Sequence, residues 1–178
     1  MLKIVKVPNR VLSNTTYAIL KIDKKIKDLV YEMEETLIAQ VDPQGVGLAA
    51  PQVGQSLRLF VIKPDIDAET EVFINPKILE VVESAVRNPQ SKKLKENTKL
   101  EGCLSIPRIW GPVKRAPKVK LEYLDLNRDK HTEWFTGFKA TIIQHEMDHL
   151  SGVLFTQRSL EQKANLYEER DGELEKIE

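Results

Sequence analysis

Apolar residues at Ile26, Leu29, Val30, Met33 and Leu37 recur at spacings of three and four, the period that lines them along one face of an α-helix. That helix is expected from about Lys24 to Gln40. Asp23 offers a carboxylate to its first unpaired amides, and Asp42-Pro43 ends it, because proline has no N–H and restricts the residue before it. The pattern then changes. Leu57 to Ile62 is a nearly unbroken apolar run, as in a buried strand, and Glu71 to Pro76 and Ile78 to Val82 predict two more strands. Val119, Leu121 and Tyr123 alternate with polar residues over Lys118 to Asp125, and Asn127-Arg128-Asp129-Lys130 separates them from His131 to Phe135. This predicts an antiparallel hairpin with one face on the core. Thr136 and Gly152 bracket a second helix on which Phe138, Ile142, His145 and His149 share a face. Ser159 and Gln162 form a capping box for a last helix reaching about Arg170, and residues 171–178 are expected to be a frayed acidic tail.

Composition narrows the class. A chain of 178 residues suits a single catalytic domain over residues 1–178, and neither repeats nor a linker divide it. A 30% charged fraction with no long apolar run excludes a membrane-spanning segment. The first residues lack the apolar core and cleavage site of a secretory signal, so the expected compartment is the cytoplasm. Equal numbers of basic and acidic residues, 27 of each, give no global electrostatic case for specific nucleic-acid binding. Local charge is uneven: Arg87 to Lys99 carries a net +4 and Glu161 to Glu178 a net −4. Residues 86–99 are therefore expected to form an exposed basic loop.

Candidate chemistry concentrates in three segments. Gln144-His145-Glu146-Met147-Asp148-His149 puts two histidines four residues apart on a helix, so both rings can grip one metal ion, with Glu146 beside it as a base. Two imidazoles need a further protein ligand, and three completions compete. A metalloprotease would take it from downstream, but an extended protease motif needs histidine where Phe155 stands, and Glu168 or Glu169 would have to serve. A closed, non-catalytic binding module could use Cys103 and His131 with the histidine pair. The third completion uses Cys103 alone, the one cysteine of the chain, and leaves the fourth position open for water. Gly45-Val46-Gly47-Leu48-Ala49-Ala50-Pro51-Gln52-Val53-Gly54 offers small residues along which a peptide-like substrate can lie close to the main chain. Leu100 to Pro107 places Cys103 next to Gly102 in an extended stretch.

Gly45-Val46-Gly47-Leu48-Ala49-Ala50-Pro51-Gln52, Glu101-Gly102-Cys103-Leu104-Ser105 and Gln144-His145-Glu146-Met147-Asp148-His149 together resemble, in the same order, the three signature motifs of the peptide deformylases. The resemblance covers essentially the whole chain. It implies an α+β fold, with mixed and antiparallel strands wrapped around a central metal-binding helix, an N-terminal amphipathic helix and a C-terminal helix. It implies removal of the formyl group from N-formylmethionyl peptides during protein synthesis. The implied cofactor is one divalent metal ion held by Cys103, His145 and His149: Fe(II) by preference, with Zn(II) or Ni(II) as alternative occupants in preparations. Glu146 would move the proton, while the Gln52 side chain and the Leu104 N–H would face the developing oxyanion. Val46, Gly47 and Gly102 would bind the peptide main chain, with Val46, Ile142 and the His145 ring walling a methionine pocket. Glu101, Asp148 and Arg115 would support the ligands from behind. A transient approach of the basic run to ribosomal RNA is a further expectation, since the implied substrate emerges there. Three departures from the family pattern stand out: Thr141 where arginine is usual, the bulky Trp110 within Arg108-Ile109-Trp110-Gly111-Pro112, and a longer segment from Val86 to Lys99.

Overall fold

The computed structural model describes residues 1–83 and 100–177, so the basic run expected as an exposed loop lies outside the described residues. In chain order the elements are α1 (Lys24–Ile38), β1 (Gly47–Ala49), β2 (Leu59–Ile62), β3 (Glu71–Val82), β4 (Leu100–Cys103), β5 (Ile106–Pro112), β6 (Lys118–Leu124), β7 (Lys130–Thr136), α2 (Gly137–Leu150), α3 (Phe155–Glu161), β8 (Tyr167–Arg170) and β9 (Glu173–Lys176). The strands form two antiparallel sheets, ordered β1-β2-β3-β6-β7 and β4-β5-β8-β9. The fold is α+β, as expected, with α2 held between them.

β2 shows why its sequence has no polar positions. Side chains alternate across a strand, so Leu59 and Val61 face α1 and pack with Val30, Met33 and Leu37, whereas Phe60 and Ile62 face α2 and pack with Ile142, Ile143 and Met147. Both faces are covered, and each fully buried side chain of this size contributes about 1.5–3 kcal/mol. Asp23 caps α1 as predicted, accepting the Lys25 and Ile26 amides at 3.0 and 3.3 Å. The last turn of α2 closes on Gly152, whose φ is +71°. There the Gly152 and Val153 amides donate to His149 and Asp148 carbonyls at 3.1 and 2.9 Å, satisfying acceptors that a helix end leaves unpaired. No helix among the described residues is long and apolar enough to cross a membrane.

Several expectations are corrected. Glu71–Val82 is one strand, not two; the break suggested by Pro76 is a bulge, with Asn75 at φ +51° and a register shift between Ile74 and Lys77. Thr136 occupies the N-cap position of α2 but its side chain makes no capping bond. Phe138 is 48% exposed and leaves the buried face to Ile142 and His149. The largest change lies at the C-terminus. Ser159 is no cap: it is a buried α3 residue whose hydroxyl donates to Pro112 O at 3.1 Å. The segment drawn as helix to Arg170 and frayed tail is instead the hairpin β8–β9, turned by Asp171 and Gly172 at φ +50° and +83°. A two-residue Asp-Gly turn with both residues at positive φ matches the twist of the flanking strands.

Candidate active site

β4 and α2 face each other across the site. Alternation along β4 turns Glu101 and Cys103 inward and leaves Leu100 and Gly102 on the other face. One helical turn separates His145 from His149, whose rings stand 5.1 Å apart at 72°. Ligand atoms of Cys103, His145 and His149 lie within 4.8 Å of one another, the group of this kind found among the described residues. Cys103 Sγ is 3.2 Å from His149 Nε2. Burial pushes the Cys103 thiol up, but His149 and His145 together hold it well below the usual thiol range, which favours the thiolate that a metal ligand must be. Thiolate and imidazole donors suit Fe(II) and Zn(II) alike. The same cluster contains two buried atoms without hydrogen-bond partners, Glu146 Oε2 and His149 Nδ1. The residues present therefore fit a bound cation.

Glu146 is 3% exposed. Burial raises its carboxyl to about 7, against the pull of His145 and His149. A Cβ added to Gly47 would meet Glu146 Oε1 at 2.3 Å and Ile142 Cγ2 at 3.0 Å. The strip of small residues thus lies directly against Glu146 and Ile142, and Val46 packs on the same cluster as Ile142.

Gln52 is fixed at both ends of its amide. Its Oε1 accepts the Ala49 N–H at 2.8 Å, and its Nε2 donates toward Cys103 Sγ and Ser105 Oγ, each at 3.4 Å. Leu104 sits in the two-residue turn between the paired Cys103 and Ile106. The N-terminal segment ties both loops together, with Val5 N–H donating to Gln52 O at 2.8 Å and Val7 N–H to Ser105 O at 3.1 Å.

Behind the Cys-His-His cluster runs a buried ion chain. His145 Nδ1 lies 3.0 Å from Glu101 Oε2, which leaves Nε2 for the cluster. Arg115 grips Glu101 through Nε and Nη2, both at 2.9 Å, and reaches Asp148 through Nη1 at 2.6 Å. Burial raises the Glu101 carboxyl, but His145 and Arg115 outweigh it and hold Glu101 below the usual carboxylate range. The three residues expected in this role are thus brought together. Arg158, which sequence reasoning did not single out, extends the chain by donating to Asp148 at 2.8 Å. Ser105 and Phe155 were also missed as site residues. Phe155 stacks on His145 at 6.1 Å, filling the place where an extended protease motif would carry histidine.

The competing completions find their residues occupied elsewhere. His131 stacks on Tyr123 at 5.1 Å and lies 3.0 Å from Asp125, on the β6–β7 hairpin. Glu168 accepts from Arg170, and Glu169 accepts from Trp110.

A family model described as polypeptide deformylase matches residues 1–165. The peptide deformylase of Desulfotalea psychrophila is 38% identical over 174 residues, covering 96% of this chain and 94% of that one. Peptide deformylase 1 of Clostridium perfringens is 45% identical over 139 residues, 78% and 84% of the two chains. The crystal structure of Thermotoga maritima peptide deformylase is similar with a TM-score of 0.74 at 35% identity, covering 89% of this chain and 97% of that one. A Synechococcus elongatus peptide deformylase in complex with actinonin gives 0.75 at 35% identity, covering 89% and 78%.

Proposed function

The chain belongs to the peptide deformylase family and is an enzyme that removes the formyl group from the N-terminus of new polypeptides, and from that premise we propose the roles its residues play. Cys103, His145 and His149 hold one divalent metal ion, Fe(II) in the working enzyme, with Zn(II) or Ni(II) able to occupy the same donors. The observation that carries this reading is the Cys-His-His cluster beside a buried, unpaired Glu146 oxygen. When bound, the cation supplies a Lewis acid that makes water a nucleophile near neutral pH.

Glu146 takes the proton of the attacking water at its unpaired Oε2 and delivers it to the amine as the formyl carbon–nitrogen bond breaks. Formate and a free N-terminus result. Negative charge developing on the formyl oxygen is met by the Gln52 amide Nε2 and the Leu104 N–H. Ala49 N–H, holding Gln52 Oε1, fixes which end of that amide faces the site. Glu101 keeps His145 presenting Nε2, and Arg115 with Asp148 keeps Glu101 in place. The peptide lies extended along Val46, Gly47 and Gly102, with its methionine toward Ile142. The whole chain acts as one catalytic domain in the cytoplasm, meeting its formylated substrates in transient contact with the ribosome.

Protein loaded anaerobically with Fe(II) is expected to release formate from formyl-Met-Ala-Ser. Glu146→Gln should retain the metal and lose turnover by about 10²–10⁴-fold, the usual scale of positioned acid–base catalysis. Normal turnover by that variant would remove Glu146 from the reaction.

A further inference from the structure

The family match ends at residue 165, yet the C-terminal hairpin beyond it pairs with β5, the partner strand of β4. β8 pairs with β5 at Ile109↔Glu168 and Trp110↔Tyr167. Glu169 on β8 accepts the Trp110 indole N–H at 2.8 Å, which fixes the ring by its polar edge. The indole then lies where a side chain at position 102 would be: a Cβ on Gly102 would meet three of its ring carbons at 2.7 to 3.1 Å. Gly111 gives the hairpin the same freedom on the other side, since a Cβ there would meet Leu166 Cδ2 at 2.7 Å. Two glycines and one acceptor therefore set the position of a half-buried aromatic ring beside the strand that carries Cys103.

Among the described residues β4 ends the order of its sheet, so an extended peptide can add to its edge as a further strand. Side chains of an added strand alternate between the same two faces as those of β4. A methionine on the face of Glu101 and Cys103, toward α2, puts the next side chain on the face of Gly102. That face is the one Trp110 covers. Resting on the deformylase reading, we propose that Trp110 selects for an apolar or aromatic residue immediately after the formylmethionine, and that Glu169 of the C-terminal hairpin is the residue that positions it. The ring offers a flat apolar surface, and the Glu169 carboxylate at its edge repels an acidic side chain.

The test compares kcat/KM for formyl-Met-Phe-Ser and formyl-Met-Ala-Ser, so that the charge of Glu169 does not enter the ratio. An aromatic contact of the usual strength predicts a ratio of about tenfold in the unaltered enzyme, falling toward one in Trp110→Ala. Glu169→Ala should lower the ratio about threefold through KM rather than kcat, and Glu169→Gln, which keeps an acceptor, should restore it. In a Trp134→Phe background Trp110 is the sole fluorophore of its kind, and its emission should shift to the red in Glu169→Ala but not in Glu169→Gln. A ratio near one in the unaltered enzyme, or an unchanged ratio in Trp110→Ala, overturns the proposal. If Trp110→Ala does not fold, an unchanged ratio in Glu169→Ala overturns it equally. Failure to release formate from every peptide, formyl-Met-Ala-Ser included, overturns the deformylase reading instead.

Discussion

At Gly47 the absence of a side chain is itself a site feature. Glycine-rich stretches announce only that something comes close, and the run from Gly45 to Gly54 by itself suggests a peptide-like substrate as that neighbour. At Gly47 that neighbour is Glu146, whose Oε1 an added methyl would overlap. Gly47→Ala must therefore move Glu146, and a displacement of about 1 Å in a catalytic group costs about 10²-fold. Formate release should fall by that order, while overpacking lowers stability by about 1–3 kcal/mol, measured by urea unfolding. Full activity in a folded Gly47→Ala protein would contradict the close approach. The Cys-His-His cluster is more legible than this contact. A four-residue spacing on a helix fixes the relative direction of His145 and His149 without further knowledge, whereas the approach of Cys103 depends on a strand 42 residues away in sequence and became readable only through the family resemblance.

Elements were legible where one period ran unbroken and illegible where tertiary contacts replaced local rules. α1 and the β6–β7 hairpin follow their patterns because each buries one face and uses local caps and turns. β3 does not. Asn75 and Pro76 look like a strand end, yet the strand continues because the Asn75 side chain substitutes for a pairing partner: Oδ1 accepts Ile19 N–H and Nδ2 donates to Ile19 O, both at 2.8 Å. Asparagine also tolerates the positive φ of this bulge better than most residues. Asn75→Ala would strand two backbone groups of Ile19, and the expected loss is about 2 kcal/mol, read as a lower urea midpoint with an unchanged slope. A loss below about 0.5 kcal/mol would mean that water replaces the side chain. The C-terminal error has a similar origin. The Ser159 and Gln162 spacing satisfies a capping rule in sequence, but Ser159 is spent on Pro112 O, and the stronger local signal was the Asp171-Gly172 turn.

In the whole molecule the two sheets do not pair strand to strand among the described residues; α2 lies against the first and faces β4 of the second, so the cluster of Cys103, His145 and His149 joins parts that are otherwise linked by the N-terminal segment, through Val5 and Val7. A cation bound there links folding to metal concentration, because the unfolded chain holds no preformed site. At a free-metal level a hundred times the dissociation constant, the folded state gains about 2.7 kcal/mol, which for a chain of this size raises the melting temperature by about 5–11 °C. Dialysis against a chelator should remove that increment, and returning Fe(II) or Zn(II) should restore it. Cys103→Ala should melt at one temperature regardless of metal, because two imidazoles alone make a weak site. His131→Ala should keep the full metal-dependent increment, since its ring is engaged with Asp125 and Tyr123 on the far hairpin. A His131 variant that lost the increment would revive the closed four-ligand site, and a Cys103 variant that kept it would place the metal elsewhere.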